Sequence, residues 1–351
     1  DHRDLHSFPT RRSSDLYALS DTGAYGGHGL TVLGNTGHKT LPIYNTPNVR
    51  FHGHTVYTTL PRAGAYRGYG VTQGVIATET LLTQAAKALN MDPLEFRLKN
   101  IIEPNTENIM SKVWSEGREA KGEMIMTNAL REAATQGAAA IGWYQKYGNP
   151  EWHTVPGKPH LKRGIGVVFL MQGSGIPNLD MGAATIKMND DGSFNLMMGA
   201  TDLGTGSDTV LGQIAAEVLG CHLEDLIITS SDTDTTPFDV GAYASSTTYI
   251  SGGAVARAAE QVAGQIKAVA AEMFGTDPKK LSLHDGAAWT TKGRSVTFRE
   301  IAMHALHRHD QHQIMGQGSF ISPVSPPPFA AQFAEVTVDT ETGQVTTDRL
   351  L

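Results

Sequence analysis

Three times in 351 residues the chain passes from a glycine- and hydroxyl-rich stretch straight into a helical apolar pattern, and this repetition narrows its possible folds more than any other feature. The first is AGAYRGYGVTQG, Ala63–Gly74, which leads into a helix ending near Leu89. The second is GATDLGTGSDTVLGQIAAEVLG, Gly199–Gly220, and the third DVGAYASSTTYISGGAV, Asp239–Val255. Glycine lets backbone turn tightly or approach a ligand, and the first turn of a helix offers amides with no partner inside the helix. In the first stretch an arginine between glycines, flanked by Tyr66 and Tyr69, suits an anionic or planar guest. In the second, Gly204 and Gly206 turn the chain, Thr205 lies between them, and Ser207 or Asp208 caps the helix; its amides suit a phosphate or a pterin edge, although the Gly-Lys-Ser/Thr ending of a Walker loop is absent. In the third, the small residues Ala244, Ser245, Ser246 and Thr247 let amides and hydroxyls converge. Taken singly, each is equally a surface turn with ordinary capping. Three of them, spread over two domains, are better explained by one large polar cofactor lying between the domains.

The rest of the pattern places these stretches in an α+β chain. Residues 17 to about 62 are Gly-, Thr- and His-rich with short apolar runs (Leu30–Leu33, Leu41–Tyr44), which predicts strands and loops. A helix to Asn90 and a second from Pro93 follow. GNPEWHTVPGKPHLKR, Gly148–Arg163, is the expected linker, separating a first domain over 17–147 from a second over 164–351. Strands are expected at Gly164–Gln172, Ala183–Met188 and Phe194–Met198, with a turn at Asp190-Asp191-Gly192. Helices follow at Thr209–Leu219 and Gly253–Phe274, with a short strand at Leu226–Thr229 between them. Ala331–Val338, a turn at Thr340–Gly343 and a strand from Val345 make a closing hairpin. The opening DHRDLHSFPTRRSSDL, residues 1–16, has no period and resembles a non-native or disordered leader. The chain is expected to be a fragment cut at both ends.

Composition excludes several classes. Lys+Arg 28 against Asp+Glu 35 gives a net charge of −7, which provides no footing for nucleic acid or an anionic membrane. No apolar run approaches the ~18 residues of a membrane span. The single cysteine, Cys221, excludes a disulfide scaffold or a cysteine-rich iron–sulfur site, and fits a reducing, cytoplasmic setting, with periplasmic export left open because a native start is not visible.

The run Ala65-Tyr66-Arg67-Gly68-Tyr69-Gly70 through Gln73 resembles the Ala-Phe-Arg-Gly-Phe-Gly-x-x-Gln motif of molybdenum hydroxylases of the xanthine dehydrogenase/aldehyde oxidase family. Residues 199–219 are similar to the family's Gly-Gln-Gly loop and helix, and DTDTTPFDVGAYASSTTYISGGAV to its Ala-Ser-Ser-type cofactor loop. The resemblance implies two elongated mixed α/β domains holding molybdenum-molybdopterin, in some members the cytosine dinucleotide form, at their interface. By position, Tyr66 and Arg67 would approach the molybdenum and pterin, Gly204, Thr205, Gly206 and Ser207 the pterin, and Ala244, Ser245, Ser246 and Thr247 the pterin and its phosphate. Tyr69 would wall the substrate pocket. Direct metal ligands are not expected. The implied reaction inserts water-derived oxygen into an N-heterocycle, purine or nicotinate-like, or an aldehyde, with electrons leaving through 2Fe–2S and FAD groups on partner subunits.

Departures from the family pattern bear on this. Thr205 stands where many members have glutamine, and VLGNTGHKTLPIY lacks the arginine that orients xanthine in animal-type members, so xanthine itself is unsupported. The Gly-x-Gly-Glu motif carrying the family's catalytic glutamate would lie beyond Leu351, so the fragment alone is expected to be inactive. A hydroxybenzoyl-CoA reductase-type subunit of the same family is one alternative; a non-catalytic binding or assembly module is another.

Overall fold

A computed structural model of the chain describes residues 13–113 and 121–351, and its contacts divide it into two compact units: residues up to Gln172 with Pro326–Leu351, and Gly173–Ser325. In chain order the first unit holds β1 (Ser13–Asp21), α1 (Gly29–His38), β2 (Asn48–Val56), α2 (Val71–Ala88), α3 (Pro93–Asn100), β3 (Thr106–Asn108), β4 (Glu123–Ile125), α4 (Leu130–Ile141), the short α5 (Trp143–Lys146) and α6 (Pro150–His153), and β5 (Leu161–Met171). The second holds β6 (Met181–Met188), β7 (Phe194–Met198), α7 (Ser207–Leu219), β8 (Leu226–Ser230), α8 (Gly252–Phe274), β9 (Leu281–His284), β10 (Ala287–Thr290), β11 (Ser295–Thr297), α9 (Phe298–His307) and β12 (Met315–Ile321). The chain then returns to the first unit with β13 (Phe329–Asp339) and β14 (Val345–Leu350).

The first unit is built on the sheet β14-β13-β5, antiparallel throughout, and a separate parallel pair β1-β2. Its core gathers Leu94, Leu130, Ile141, Trp143, Phe169, Met171 and Phe333, from α3, α4, α5 and the sheet. Asp92 starts α3 by accepting from the amides of Leu94 at 2.7 Å and Glu95 at 3.2 Å, with Pro93 at the first helical position where no donor is lost. In the second unit the sheet β12-β6-β7-β8 runs antiparallel except for the parallel β7–β8 pair. One face of the helix α8, alanine-rich and therefore slim, packs on that sheet and on α7, and buries Val255, Val262 and Ile266 against Ile186, Leu196 and Leu211.

The helices, strands and closing hairpin named in the sequence reading agree with the structure, except at four places. Leu30–Leu33, expected as strand or loop, lies in α1. Its residues GLTVLGNTGH are poor helix formers, but tertiary packing overrides propensity: Leu33 is buried, and α2 comes so near that a Cβ on Gly70 would overlap the Val32 carbonyl. Leu41–Ile43 is a 3₁₀ turn. Of the expected leader, residues 1–12 lie outside the described residues, whereas Ser13–Leu16 belong to β1 and pair with Asn48–Phe51, so the strand starts before the expected boundary. Finally, residues 148–163 hold α6 and the start of β5 inside the first unit. The division falls instead at Gly173 and Pro326, because all eleven residues of β13 pair with β5, from Phe329↔Met171 to Asp339↔Leu161. A strand pairing between residues 158 to 178 positions apart is invisible to local composition.

Candidate functional site

The first glycine loop feeds α2. Gly68, Tyr69 and Gly70 all have positive φ, 93°, 29° and 88°. For tyrosine that is a strained conformation, of the kind that persists where surrounding structure enforces it. Here the enforcement is visible: the amide of Tyr69 donates to the Tyr66 carbonyl at 2.8 Å, that of Val71 to the Gly68 carbonyl at 2.7 Å, and Gly70 is pinned against α1. The Tyr69 hydroxyl meets Nδ1 of His28 at 2.6 Å, the rings edge-on at 79°. His28, directly before α1, carried no sequence signal, since 41 residues separate it from its partner. Tyr66, 86% exposed, and Arg67, also exposed, project from the same turn, which therefore presents a planar ring and a cation to whatever lies outside it.

The second loop differs from its expectation. Four of the amides expected to await a ligand are taken by a residue not singled out from sequence, Asp202. One of its carboxylate oxygens accepts from the amides of Gly204 at 2.8 Å, Thr205 at 2.9 Å and Gly206 at 3.2 Å, and the other from Asp208 at 3.3 Å. Desolvation pushes the Asp202 carboxyl upward, but the four amide donors outweigh it and hold the group below its usual range. An aspartate two residues before a glycine is an Asx-turn signal, so this was readable in principle. Gly206, left-handed at φ 74°, then hands the chain into α7, whose first residue Ser207 is 5% exposed. Both the Ser207 Oγ and the Asp208 Oδ1 are buried with no hydrogen-bond partner, while the Asp208 Oδ2 accepts from the Ser230 hydroxyl at 3.1 Å.

In the third loop another aspartate does the same work. Asp239 accepts from the Gly241 amide at 2.8 Å and the Ser251 hydroxyl at 2.7 Å. Between these clamps Ala244 and Ser245 adopt φ of 49° and 60°, unusual for residues with a Cβ, and the Ala244 carbonyl accepts from the Gly175 amide at 2.8 Å. Ser246 is buried and donates to the Gly241 carbonyl at 3.3 Å; Thr247 opens a π-helical turn, Thr247–Ser251, that runs into α8. Such turns frequently mark functional positions. Gly204–Ser207 and Ala244–Thr247 both belong to the second unit, where segments flanking them touch: Gly199 at the end of β7 lies against Pro237 and Asp239, and Gly252 against Leu211 and Ile214 of α7. Tyr66, Arg67 and Tyr69 belong to the first unit. A separate cleft of about 340 Å³, lined by Thr185, Thr236, Gln317 and Ser319 among others, is formed by β6, β12 and the segment before the third loop, not by the glycine turns.

Two models described as molybdopterin cofactor-binding domain match the chain, one over residues 12–101 of the first unit and the other over residues 136–351, which holds the second unit and the parts of the first on either side of it. The chain belongs to the molybdopterin cofactor-binding family of the xanthine dehydrogenase/aldehyde oxidase type. It is 36% identical over 332 residues to the probable hypoxanthine oxidase XdhD of Escherichia coli (strain K12), covering 94% of this chain and 34% of that protein. To the putative xanthine dehydrogenase molybdenum-binding subunit XdhA of the same organism it is 33% identical over 349 residues, 97% of this chain and 44% of the relative. The chain therefore spans less than half the length of these curated relatives. Its fold matches quinoline 2-oxidoreductase from Pseudomonas putida 86 with a TM-score of 0.79 at 22% identity, covering 96% of this chain and 44% of that one. Aldehyde oxidoreductase from Desulfovibrio gigas gives 0.70 at 26% identity, over 96% and 35%.

The residues present fit the family's cofactor. Ser207 and Asp208 hold buried polar atoms that lack partners, and in the same loop a Cβ on Gly204 or Gly206 would meet nothing within 4 Å, as is true of Gly241 in the third loop, so these turns border open space. Among the described residues no helix is long and apolar enough to cross a membrane, and no group of three or more His, Cys, Asp or Glu side chains is placed to hold a metal ion directly.

Proposed function

We propose that this chain grips a molybdenum-molybdopterin cofactor, of either the simple or the cytosine dinucleotide form, within a hydroxylase that inserts water-derived oxygen into an N-heterocycle or an aldehyde. The observation that carries the proposal is the match of family models to both units, joined to buried unpaired polar atoms in the very loop where the family motif falls. Bound there, the cofactor would supply the two-electron chemistry that no side chain can. The chain's own residues would do the rest: Gly204–Ser207 would hold the pterin, Ala244–Thr247 the pterin and its phosphate, and Tyr66 and Arg67 would approach the molybdenum and pterin, as the family resemblance implies. Tyr69, fixed by His28, positions an aromatic substrate by ring contact, its hydroxyl already spoken for. Among heterocycles a purine is favoured, because the relatives at 36% and 33% identity are named for hypoxanthine and xanthine, although the arginine expected for xanthine is missing. Iron–sulfur and FAD subunits would carry electrons away; the relative XdhA is itself named as one subunit, the molybdenum-binding one. A cytoplasmic setting goes with the single, unpaired cysteine.

The deciding experiment uses the full-length gene product, co-purified with its partner subunits. Molybdenum and pterin are expected near one per protomer, with turnover of hypoxanthine exceeding that of xanthine, nicotinate and aldehydes. Protein free of both molybdenum and pterin would overturn the assignment, and activity confined to the reduction of hydroxybenzoyl-CoA would move it to the reductase branch.

A further inference from the structure

We infer that three side chains of α8, Arg257, Gln261 and Gln265, seal the outer edge of β12 against strand addition. The strand they exclude is the β12 of a second copy of this chain. None of the three lies in a glycine loop, so the role is independent of any cofactor.

β12 stands at one end of the order β12-β6-β7-β8 and pairs only with β6 among the described strands. An edge strand presents a row of backbone donors and acceptors to which another strand can add. Here the outward groups belong to alternate residues, Met315, Gln317 and Ser319, and each of these residues is met by a side chain of α8. Gln265 Nε2 donates to the Met315 carbonyl at 2.6 Å while its Oε1 accepts from the Met315 amide at 3.3 Å, so one side-chain amide stands in for the peptide unit of a neighbouring strand. Gln261 Oε1 accepts from the Gln317 amide at 3.2 Å, and Arg257 donates to the Ser319 carbonyl at 2.7 Å. The side chains stand at every fourth position of the helix and the backbone groups at every second position of the strand, in opposite chain directions. Four helical residues advance about 6 Å and two strand residues about 6.7 Å, so the two rows stay in step over three rungs.

Two glycines make that reach possible. A Cβ on Gly318 would lie 2.3 Å from the Ala254 carbonyl oxygen, and one on Gly316 2.8 Å from that of Ala258, so a larger residue at either would lift α8 off the strand. Arg257 is held in addition over the Phe320 ring, 4.8 Å from its centroid. Were the edge open, two copies of β12 related by a twofold axis would pair antiparallel. Centred on Gly318, that pairing would set Met315 of each copy, 42% exposed, beside Ile321 of the other, 48% exposed.

The test uses the full-length protein with its partner subunits and compares wild type with the triple variant Arg257→Ala, Gln261→Ala, Gln265→Ala. Sedimentation velocity over a concentration series reads assembly, and amide hydrogen exchange resolved at Met315 and Gln317 reads the edge. In wild type both amides are expected to be protected, with no association beyond the native assembly as concentration rises. In the dilute triple variant both should exchange about fivefold faster, the scale of one hydrogen bond. At higher concentration, species at multiples of the wild-type mass should appear and restore protection at the same amides. Gln261→Glu keeps the accepting oxygen and should behave as wild type, whereas Gln261→Leu should release the Gln317 amide alone. Wild-type amides that exchange as fast as those of an unstructured chain would show that the edge is not sealed. A triple variant that keeps the wild-type mass at every concentration would show that no second copy is excluded, and association without renewed protection at β12 would put the new contact elsewhere. Any of the three overturns the inference. If the triple variant does not fold, the double variant Gln261→Leu, Gln265→Leu, read in the same two ways, decides.

Discussion

Two buried polar regions of this protein are satisfied in opposite ways. In the first unit, Glu79 of α2 and Arg97 of α3, 2% and 0% exposed, are joined Nε to Oε2 at 2.7 Å. Every further polar atom has a partner: the Glu79 carboxylate also accepts from the Phe169 amide at 3.1 Å and from the Tyr44 hydroxyl, while Arg97 donates to the carbonyls of Pro93 at 3.0 Å and Glu79 at 2.8 Å and to the Thr83 hydroxyl at 3.0 Å. This network ties α2, α3, β5 and the turn at Tyr44 together, and each of its nitrogen and oxygen atoms has a partner within the protein. At the start of α7, by contrast, two buried oxygens have none. A buried charge in protein is tolerable when its whole hydrogen-bonding capacity is used, and a capacity left unused marks where something else belongs. The comparison separates a region that builds the scaffold from one that serves the ligand, although both are buried and both contain a carboxylate.

The contrast breaks first at Glu79. Glu79→Ala leaves Arg97 charged and unpaired in the core, and chemical denaturation should show a loss of about 3–5 kcal/mol; a loss below about 1 kcal/mol would mean the pair contributes no more than a surface contact. Next comes Gly70→Ala, where the added Cβ meets the Val32 carbonyl at a φ of 88°: a loss of about 2 kcal/mol, read in the same assay, is expected from overpacking plus backbone strain. Tyr44→Phe should cost about 1–2 kcal/mol at neutral pH. It should also alter the alkaline limb of stability. Burial, then the Glu79 charge, raises the Tyr44 phenol well above 10.0, so the folded state holds a proton that the unfolded chain releases above pH 10. Wild-type stability therefore falls as pH rises past that point, and the variant should lose this part of the fall. The smallest effect sharpens the other side. Ser207→Ala, which deletes a hydroxyl with no partner, should leave the cofactor-free protein within about 0.5 kcal/mol of wild type, whereas a loss near 1.5 kcal/mol would reveal a hidden bond.

Much of this was legible from sequence because the signals are local. Asp92-Pro93 before α3, the apolar period of α2 and α8, and the turn glycines with Ser207 each reflect residues within a few positions of one another. α1 was not legible. Its glycines, threonines and asparagine argue against a helix, and what makes it one is contact with α2 and β2, with Gly37 under the Phe51 ring. The site shows the same division. Tyr66, Arg67 and Tyr69 stand on the expected turn, but the His28 contact to Tyr69 joins residues from different elements, and the fate of the loop amides depended on where the Asp202 side chain turned.

By itself, then, the sequence determined the α+β class, the three glycine turns and the family whose motif they carry, since each depends on residue type at fixed short spacing. Only the tertiary structure decided that β13 returns to β5, that Asp202 takes the amides of its own loop, and that Ser207 and Asp208 keep oxygens unpaired. The physical reason is that satisfaction of a polar group is a property of its three-dimensional surroundings. A sequence supplies donors and acceptors, and only folding reveals which of them are already spent.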